Sequence, residues 1–360
     1  MKFLFFFNGD FNEGNGSNAR LKCYGKGLLE KGIASKFFVV RPSEFADSGI
    51  NQSSKGKVQN LPFEYLTGNP LRESSKVKRF FGLLKAWKNA IRVLSNSDSN
   101  NTVLYFYSAQ LFTHLPILLA VKIFGFKAMV ELTELHSLKV ERNPTLTFIA
   151  RLNNSFIEWT IPIWFNRVYV ASHRLKLFYM LRFQNIEVEI LPVVYDFERF
   201  TALSIIKKTQ RIGYLGSFAP KDGVESIVAA YSIAKKQIPD LRLRLIGFQT
   251  KGFNLNQVLS ANGLSIHDKS IEITGQVESN RIPQLLADCD LLIMNRNNDP
   301  FANYGFPIKL AEYLATGRPV ISTDVSDISR LFTTELKIIE PNNLAKLHST
   351  IIERYKNREQ

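Results

Sequence analysis

The stretch Asn303-Tyr304-Gly305-Phe306-Pro307-Ile308-Lys309-Leu310-Ala311-Glu312-Tyr313-Leu314-Ala315-Thr316-Gly317-Arg318-Pro319-Val320-Ile321 decides how the chain is read. Gly305 lets the backbone come close to a ligand, and Pro307 suits the first turn of a helix. A helix over 308–316 points its NH groups and the positive end of its dipole at an anion. One turn in, Lys309 adds charge and Glu312 can accept hydrogen bonds from sugar hydroxyls. Gly317 ends that helix, and a buried strand over 319–322 follows at once. Strand and helix alternating in this way are the unit of a doubly wound α/β sheet.

The same alternation runs outward through the chain. In the first half, strands are expected over 3–7, 36–40, 103–107, 127–132, 167–170 and 187–191, with helices over 19–31, 77–94, 115–124 and 174–181. In the second half, strands fit 211–215, 241–246, 270–274, 291–294 and 319–322. Helices there fit 224–237, 253–262, 282–287, 308–316 and 343–356. The interval 43–75 is polar and poorly periodic and reads as loop. The fold class is therefore α/β, with two Rossmann-like domains of parallel sheet facing across a cleft, over 1–198 and 199–342. A C-terminal helix at about 343–360 is expected to pack back on the first domain. Ligands of such sheets sit beyond the carboxyl ends of the strands.

Composition sets limits on function. The 360 residues are 45% hydrophobic and 22% charged, which fits a chain with a substantial interior. Phe, at 28 residues against 3 Trp, fills much of it. Two distant cysteines and five scattered histidines suggest neither a disulfide framework nor a metal site, and a cytoplasmic location is expected. The net charge is +14, and residues 1–200 carry 26 Lys and Arg against 16 Asp and Glu. A basic first half suits an anionic partner. Nucleic acid is not expected, because no recognition motif accompanies the charge. Residues 77–94 place Val77, Phe80, Leu84, Trp87, Ile91 and Leu94 on one stripe, with the six cations Lys76, Lys78, Arg79, Lys85, Lys88 and Arg92 in and beside the segment. That pattern fits a basic helix lying on an anionic membrane and equally an ordinary surface helix.

Three further segments sit where strands end. Gly14-Asn15-Gly16-Ser17-Asn18-Ala19 matches the letters of a dinucleotide fingerprint. It follows the first strand too late, however, and the second strand ends in Arg41 rather than an acid, so no nicotinamide cofactor is expected. Glu134 and His136 follow the strand over 127–132 and are candidates for contacting a transferred group or its acceptor. Ile212-Gly213-Tyr214-Leu215-Gly216-Ser217-Phe218-Ala219-Pro220-Lys221-Asp222-Gly223-Val224 joins a strand to a helix through a turn bearing a cation.

The 303–321 block resembles the C-terminal domain of family-4 glycosyltransferases, above all bacterial surface-polysaccharide members with a Pro-x-Lys-Leu-x-Glu-Tyr-Leu-Ala-x-Gly-x-Pro-Val pattern. The resemblance implies the two-domain GT-B arrangement and transfer of a sugar from a UDP- or GDP-linked donor to a glycan or lipid-linked glycan acceptor. Retention, no metal and no further cofactor are implied with it, as is a role in lipopolysaccharide or capsule synthesis at the inner face of the plasma membrane. It makes Glu312 the ribose ligand and Lys309 and Lys221 the cations on the departing diphosphate. Gly216, Ser217, Tyr304, Gly305, Phe306, Pro307 and Ile308 fall at donor-contact positions, Gly275 and Val277 lie against the base, and Gly16 belongs to a loop over the phosphates. Three positions depart from the family: Ser217 replaces the usual Arg, Asp222 the usual Lys, and Tyr304 the first of two glutamates. Those departures keep open a second reading, a catalytically inactive subunit that binds a nucleotide sugar or a partner enzyme.

Overall fold

The computed structural model describes the chain apart from residues 12–15, 46–50, 139–143, 205–208, 251 and 357–360. Gly14 and Asn15 of the glycine-rich loop therefore lie outside the described residues. The chain divides into two compact units, Met1–Tyr195 and Asp196–Gln360.

The first unit runs β1 (Lys2–Asn8), α1 (Gly16–Glu30), β2 (Ala34–Arg41), β3 (Lys55–Val58), β4 (Leu61–Tyr65), α2 (Lys76–Ser95), β5 (Thr102–Tyr107), α3 (Leu111–Ile123), β6 (Lys127–Leu132), α4 (Pro144–Trp164), β7 (Arg167–Val170), α5 (His173–Arg182) and β8 (Glu187–Ile190). Its eight strands are ordered β3-β4-β2-β1-β5-β6-β7-β8, and all neighbours are parallel except β3 with β4. The run of phenylalanines in β1 is buried on both faces, as a central parallel strand requires. Phe5 stacks on Phe37 at 4.5 Å, while Phe6, pointing the other way, lies between Phe38 and Phe106 at 5.2 and 5.3 Å.

The expected loop over 43–75 contains β3 and β4, because Leu61, Phe63 and Tyr65 alternate with the half-buried Pro62 and Glu64 and carry their apolar side into the core. No helix was expected over 144–164, where α4 forms. Its apolar residues occur on nearly every side, and Asn153, Asn154 and Pro162 interrupt it, so no 3.6-residue period stands out. In α2 the expected stripe divides. Leu94 is buried together with Ala86 and Ala90, whereas Val77, Phe80 and Leu84 remain exposed.

The second unit runs β9 (Arg211–Gly216), α6 (Val224–Lys235), β10 (Arg242–Gly247), α7 (Leu255–Ala261), β11 (Ile271–Gly275), α8 (Ile282–Ala287), β12 (Leu291–Met294), α9 (Pro300–Tyr304), α10 (Lys309–Ala315), β13 (Val320–Thr323), α11 (Ile328–Leu331), β14 (Lys337–Ile339) and α12 (Leu344–Lys356). Its six strands are parallel, in the order β11-β10-β9-β12-β13-β14. Leu347, Ile351 and Tyr355 of α12 share one core with Ile227, Tyr231 and Ala234 of α6. The stripe of α12 is completed within the second unit.

Each sheet has one point where the strand order reverses. From β9 the chain builds β10 and β11 on one side, then returns to place β12 on the other. In the first sheet β1 has that place, between β2 and β5. Crossovers leave opposite faces at such a point, so a crevice opens beyond the carboxyl ends.

Candidate active site

At the reversal point of the second sheet, β9 ends on Gly216 and β12 is followed by Asn295 and Arg296. After Gly216 the chain turns through Ser217 and Phe218, makes a single 3-10 turn at Pro220–Asp222, and enters α6. Phe218 is buried against Tyr214 and Phe253, which fixes the turn. Gly223, at φ +53°, leaves room for Asn295, whose Nδ2 donates to the Gly223 carbonyl at 2.8 Å. The Asn297 NH donates to the Lys221 carbonyl at 3.2 Å. The β9 and β12 loops are thus tied together.

This tie brings three charged side chains together. Lys309, the first residue of α10, donates to Asp222 Oδ1 at 2.9 Å, and its Nζ lies 4.7 Å from the centre of the Tyr214 ring. Arg296 Nε stands 4.0 Å from the same carboxylate oxygen. Side-chain exposure is 14% for Lys309, 4% for Asp222 and 7% for Arg296, so water screens the group poorly. Arg296 is held by its backbone, the NH donating to Thr323 Oγ1 at 2.8 Å, while its buried Nε and Nη1 have no hydrogen-bond acceptor.

Two cations around one carboxylate leave the cluster positive. Burial disfavours the charged form of Asp222, but Lys309 and Arg296 outweigh it and hold the carboxyl below its usual range. For Lys309, burial is the largest effect and Arg296 repels it, so its pKa is lowered despite Asp222. Burial, then the neighbouring Asp222, pushes the Tyr214 hydroxyl well up, and it stays a phenol. An anion entering here would find two incompletely satisfied cations, which suits a phosphate or diphosphate.

Glycines keep the crevice open. A Cβ on Gly216 would meet the Tyr214 hydroxyl and Lys309 Nζ. Gly247, at the end of β10, has φ +128°, and a Cβ there would strike the Gly216 carbonyl oxygen. Tyr313 of α10 accepts from the Leu215 NH at 2.7 Å and so ties the helix to the end of β9.

The other expected residues fall around this centre. Ser217 is half-buried in the turn after Gly216. Lys221 lies beside the cluster, its Nζ 4.9 Å from the centre of the Phe301 ring, and its charge acts on both Asp222 and Lys309. Tyr304 closes α9, and Gly305, Phe306, Pro307 and Ile308 link α9 to α10. Glu312 lies half-buried in the first turn of α10. Gly275 ends β11, two strands from β9, and Val277 beyond it packs against the core that contains Ile246, Leu286 and Tyr313. Gly16 opens α1 in the first unit.

His136 and Glu134 follow β6 in the first unit. His136 Nε2 is 3.1 Å from Ser108 Oγ, beyond the end of β5, and Asn8 at the end of β1 donates to Gln110 Oε1 at 3.2 Å. His136, Ser108, Gln110 and Asn8 thus gather where the first sheet reverses. Nearby, Glu131 is fully buried and pairs with Arg20 at 2.6 Å while accepting from the Tyr105 hydroxyl at 2.6 Å.

Arg296, Asn295, Gly247 and Ser108 carry no motif and enter the sites only through the fold. The one available signal was a polar run, Asn295-Arg296-Asn297-Asn298-Asp299, directly after the apolar strand Leu291-Leu292-Ile293-Met294. Among the described residues, no group of three or more His, Cys, Asp or Glu is arranged to hold a metal ion.

Comparison with known proteins agrees with this architecture. Residues 209–357 match the family described as glycosyl transferases group 1. No curated protein is matched by the sequence. Among solved structures, the chain is similar to sucrose-phosphate synthase from Thermosynechococcus elongatus, at 16% identity and a TM-score of 0.75, over 99% of this chain and 90% of that one. It is similar to Anabaena HepE in complex with UDP and glucose, at 15% identity and a TM-score of 0.70, over 100% and 91%. It also resembles the pneumococcal O-GlcNAc transferase GtfA in complex with UDP and GlcNAc, at 11% identity and a TM-score of 0.66, over 99% and 92%. The chain therefore has the GT-B fold, and its residues 209–357 match the glycosyl transferases group 1 family.

Proposed function

We propose that the protein transfers a sugar from a UDP-linked donor to a glycan or lipid-linked glycan acceptor, with retention at the anomeric carbon. The observation that carries this reading is the positive Lys309–Asp222–Arg296 cluster at the reversal point of the second sheet. When the bond from the anomeric carbon to the diphosphate breaks, negative charge grows on the departing phosphate oxygen. Lys309 and Arg296, already fixed in a poorly hydrated site, stabilise that charge without reorganising. The acceptor hydroxyl then attacks the oxocarbenium-like sugar from the side of the leaving group, and its proton passes to the departing phosphate oxygen. Glu312, one turn into α10, accepts hydrogen bonds from the ribose. UDP rather than GDP is favoured because the solved complexes of HepE and GtfA hold UDP. Retention and a role in surface polysaccharide synthesis follow the family that the 303–321 block resembles.

A second reading keeps the nucleotide but not the reaction. Asp222 neutralises part of Lys309 at 2.9 Å, where the resembling family carries a lysine in place of Asp222. A subunit that binds the donor without turning it over would tolerate that exchange. Calorimetric titration with UDP and GDP, followed by UDP release from UDP-glucose and UDP-N-acetylglucosamine, separates the two. UDP binding with slow hydrolysis, lost in Lys309→Ala, supports transfer. Binding without release in the presence of glycan acceptors supports the inactive subunit, and preference for GDP overturns the choice of nucleotide.

A further inference from the structure

Helix α4 carries apolar residues on two sides, and one of them is turned outward. At about 100° per residue, Phe148, Ile149, Leu152, Phe156, Trp159 and Ile163 share one outward arc, and all are exposed. Phe148 is 63% and Trp159 66% exposed. The opposite side, turned into the protein, buries Ile157, Ile161 and Trp164 together with the polar residues Thr147, Asn154 and Glu158. Glu158 accepts from the Ser137 NH and Asn154 donates to the His136 carbonyl, so this side is anchored. An outward apolar stripe of this length on a folded helix needs a cover.

The neighbouring helices extend the stripe and set its charge. Trp87 of α2 donates to the Thr113 carbonyl, and Asn153 of α4 accepts from the Phe112 NH. Both contacts lie at the start of α3, just beyond the end of β5. Because α2 and α4 each lead from the end of one strand to the start of the next, they run against the strands. Their first halves therefore project past the carboxyl edge of the sheet, on either side of the exposed Phe112. There α2 presents Val77, Phe80, Phe81 and Leu84, all exposed, among Lys76, Lys78, Arg79 and Lys85. Across α2, α3, α4 and α5 there are eleven Lys and Arg and one acid, the buried Glu158. Arg182 of α5 packs over Trp159, 3.3 Å from the ring centre, with its Nε and Nη2 buried and its charge acting on Glu158.

We propose that the outward face of α4, with the first half of α2, docks on the surface of an anionic lipid bilayer. The apolar stripe enters the acyl boundary and the surrounding cations meet acidic headgroups. No described helix is long and apolar enough to cross a membrane, so the contact is a surface one. This inference is independent of the nucleotide reading.

The test uses the full chain and sedimentation with phosphatidylcholine vesicles, with and without phosphatidylglycerol. The wild type should bind the anionic vesicles, lose most binding as salt rises, and show a blue shift of tryptophan emission that Trp159→Phe removes. Replacing Leu152 and Phe156 together by Gln should weaken partitioning about tenfold or more, with unchanged melting temperature and UDP affinity. Replacing Lys78, Arg79 and Lys85 by Gln should weaken it and flatten the salt dependence. A wild type that stays in solution with anionic vesicles at low salt overturns the proposal, as does equal binding by the Leu152/Phe156 variant. If the wild type is instead a dimer by light scattering and that variant a monomer, the face is a self-association surface and the lipid reading falls.

Discussion

Asp222 carries opposite consequences for the fold and for the ligand. Its pKa is held below the usual carboxylate value, so it contributes stability that is present above the unfolded pKa of about 3.9 and lost as pH falls through the folded value. Thermal melts between neutral pH and pH 3 should show the wild type losing stability below about pH 4, and Asp222→Asn should lack part of that loss. The same substitution frees Lys309 and should tighten UDP binding. Lys309→Ala or Arg296→Met, each removing a charged hydrogen bond to the diphosphate, should weaken UDP by about 1.5–3 kcal/mol in calorimetry. Glu312→Ala should have a similar cost through the ribose, with an unchanged melting temperature. Since the Lys309 pKa is lowered, UDP affinity should fall as pH rises at values below the ordinary lysine range, and Lys309→Arg should abolish that fall.

At the scale of elements, function rests on where strands stop. Gly216 and Gly247 end adjacent parallel strands in register, and the Gly247 backbone is bent to φ +128° beside the Gly216 carbonyl. Gly247→Ala should therefore cost about 1–3 kcal/mol in chemical denaturation and weaken UDP, because any relief of the clash moves β9 away from Lys309. The β9, β10, β11, β12 and α10 segments could be read from the sequence, since each is short, apolar and bounded by turn residues. Helix α4 could not. Apolar residues line both its outward arc and, through Ile157, Ile161 and Trp164, its buried side, so no single stripe of 3.6-residue period stands out. The β3–β4 hairpin was hidden for a simpler reason, as β3 is Lys55-Gly56-Lys57-Val58 and is recognisable only through its partner.

For the whole molecule, two units with separate cores should unfold as two events. UDP at about a hundred times its dissociation constant should stabilise the unit that binds it by roughly 2.7 kcal/mol. Scanning calorimetry should show that only the transition of residues 196–360 rises. Glu131→Gln leaves the buried Arg20 without its countercharge and should cost about 3–5 kcal/mol, lowering the other transition and leaving UDP affinity unchanged. If UDP raises both transitions equally, the units are thermodynamically coupled and the two-event description is wrong.

By itself the sequence determined the fold class and the position of the candidate site along the second half. Those features are local: strand length, the Gly-Phe-Pro entry to α10, and Lys309 one step inside it are all encoded within some twenty consecutive letters. Only the tertiary structure decided that Asp222, not a cation, faces Lys309, and that Arg296 from a strand seventy residues further on completes the cluster. The physical reason is the reversal of strand order between β9 and β12, which places residues distant in sequence at one crevice. Local periodicity carries no information about that order. The same holds for α12, whose stripe is legible in the sequence while its partner, α6, is chosen by which apolar face the finished sheet leaves uncovered.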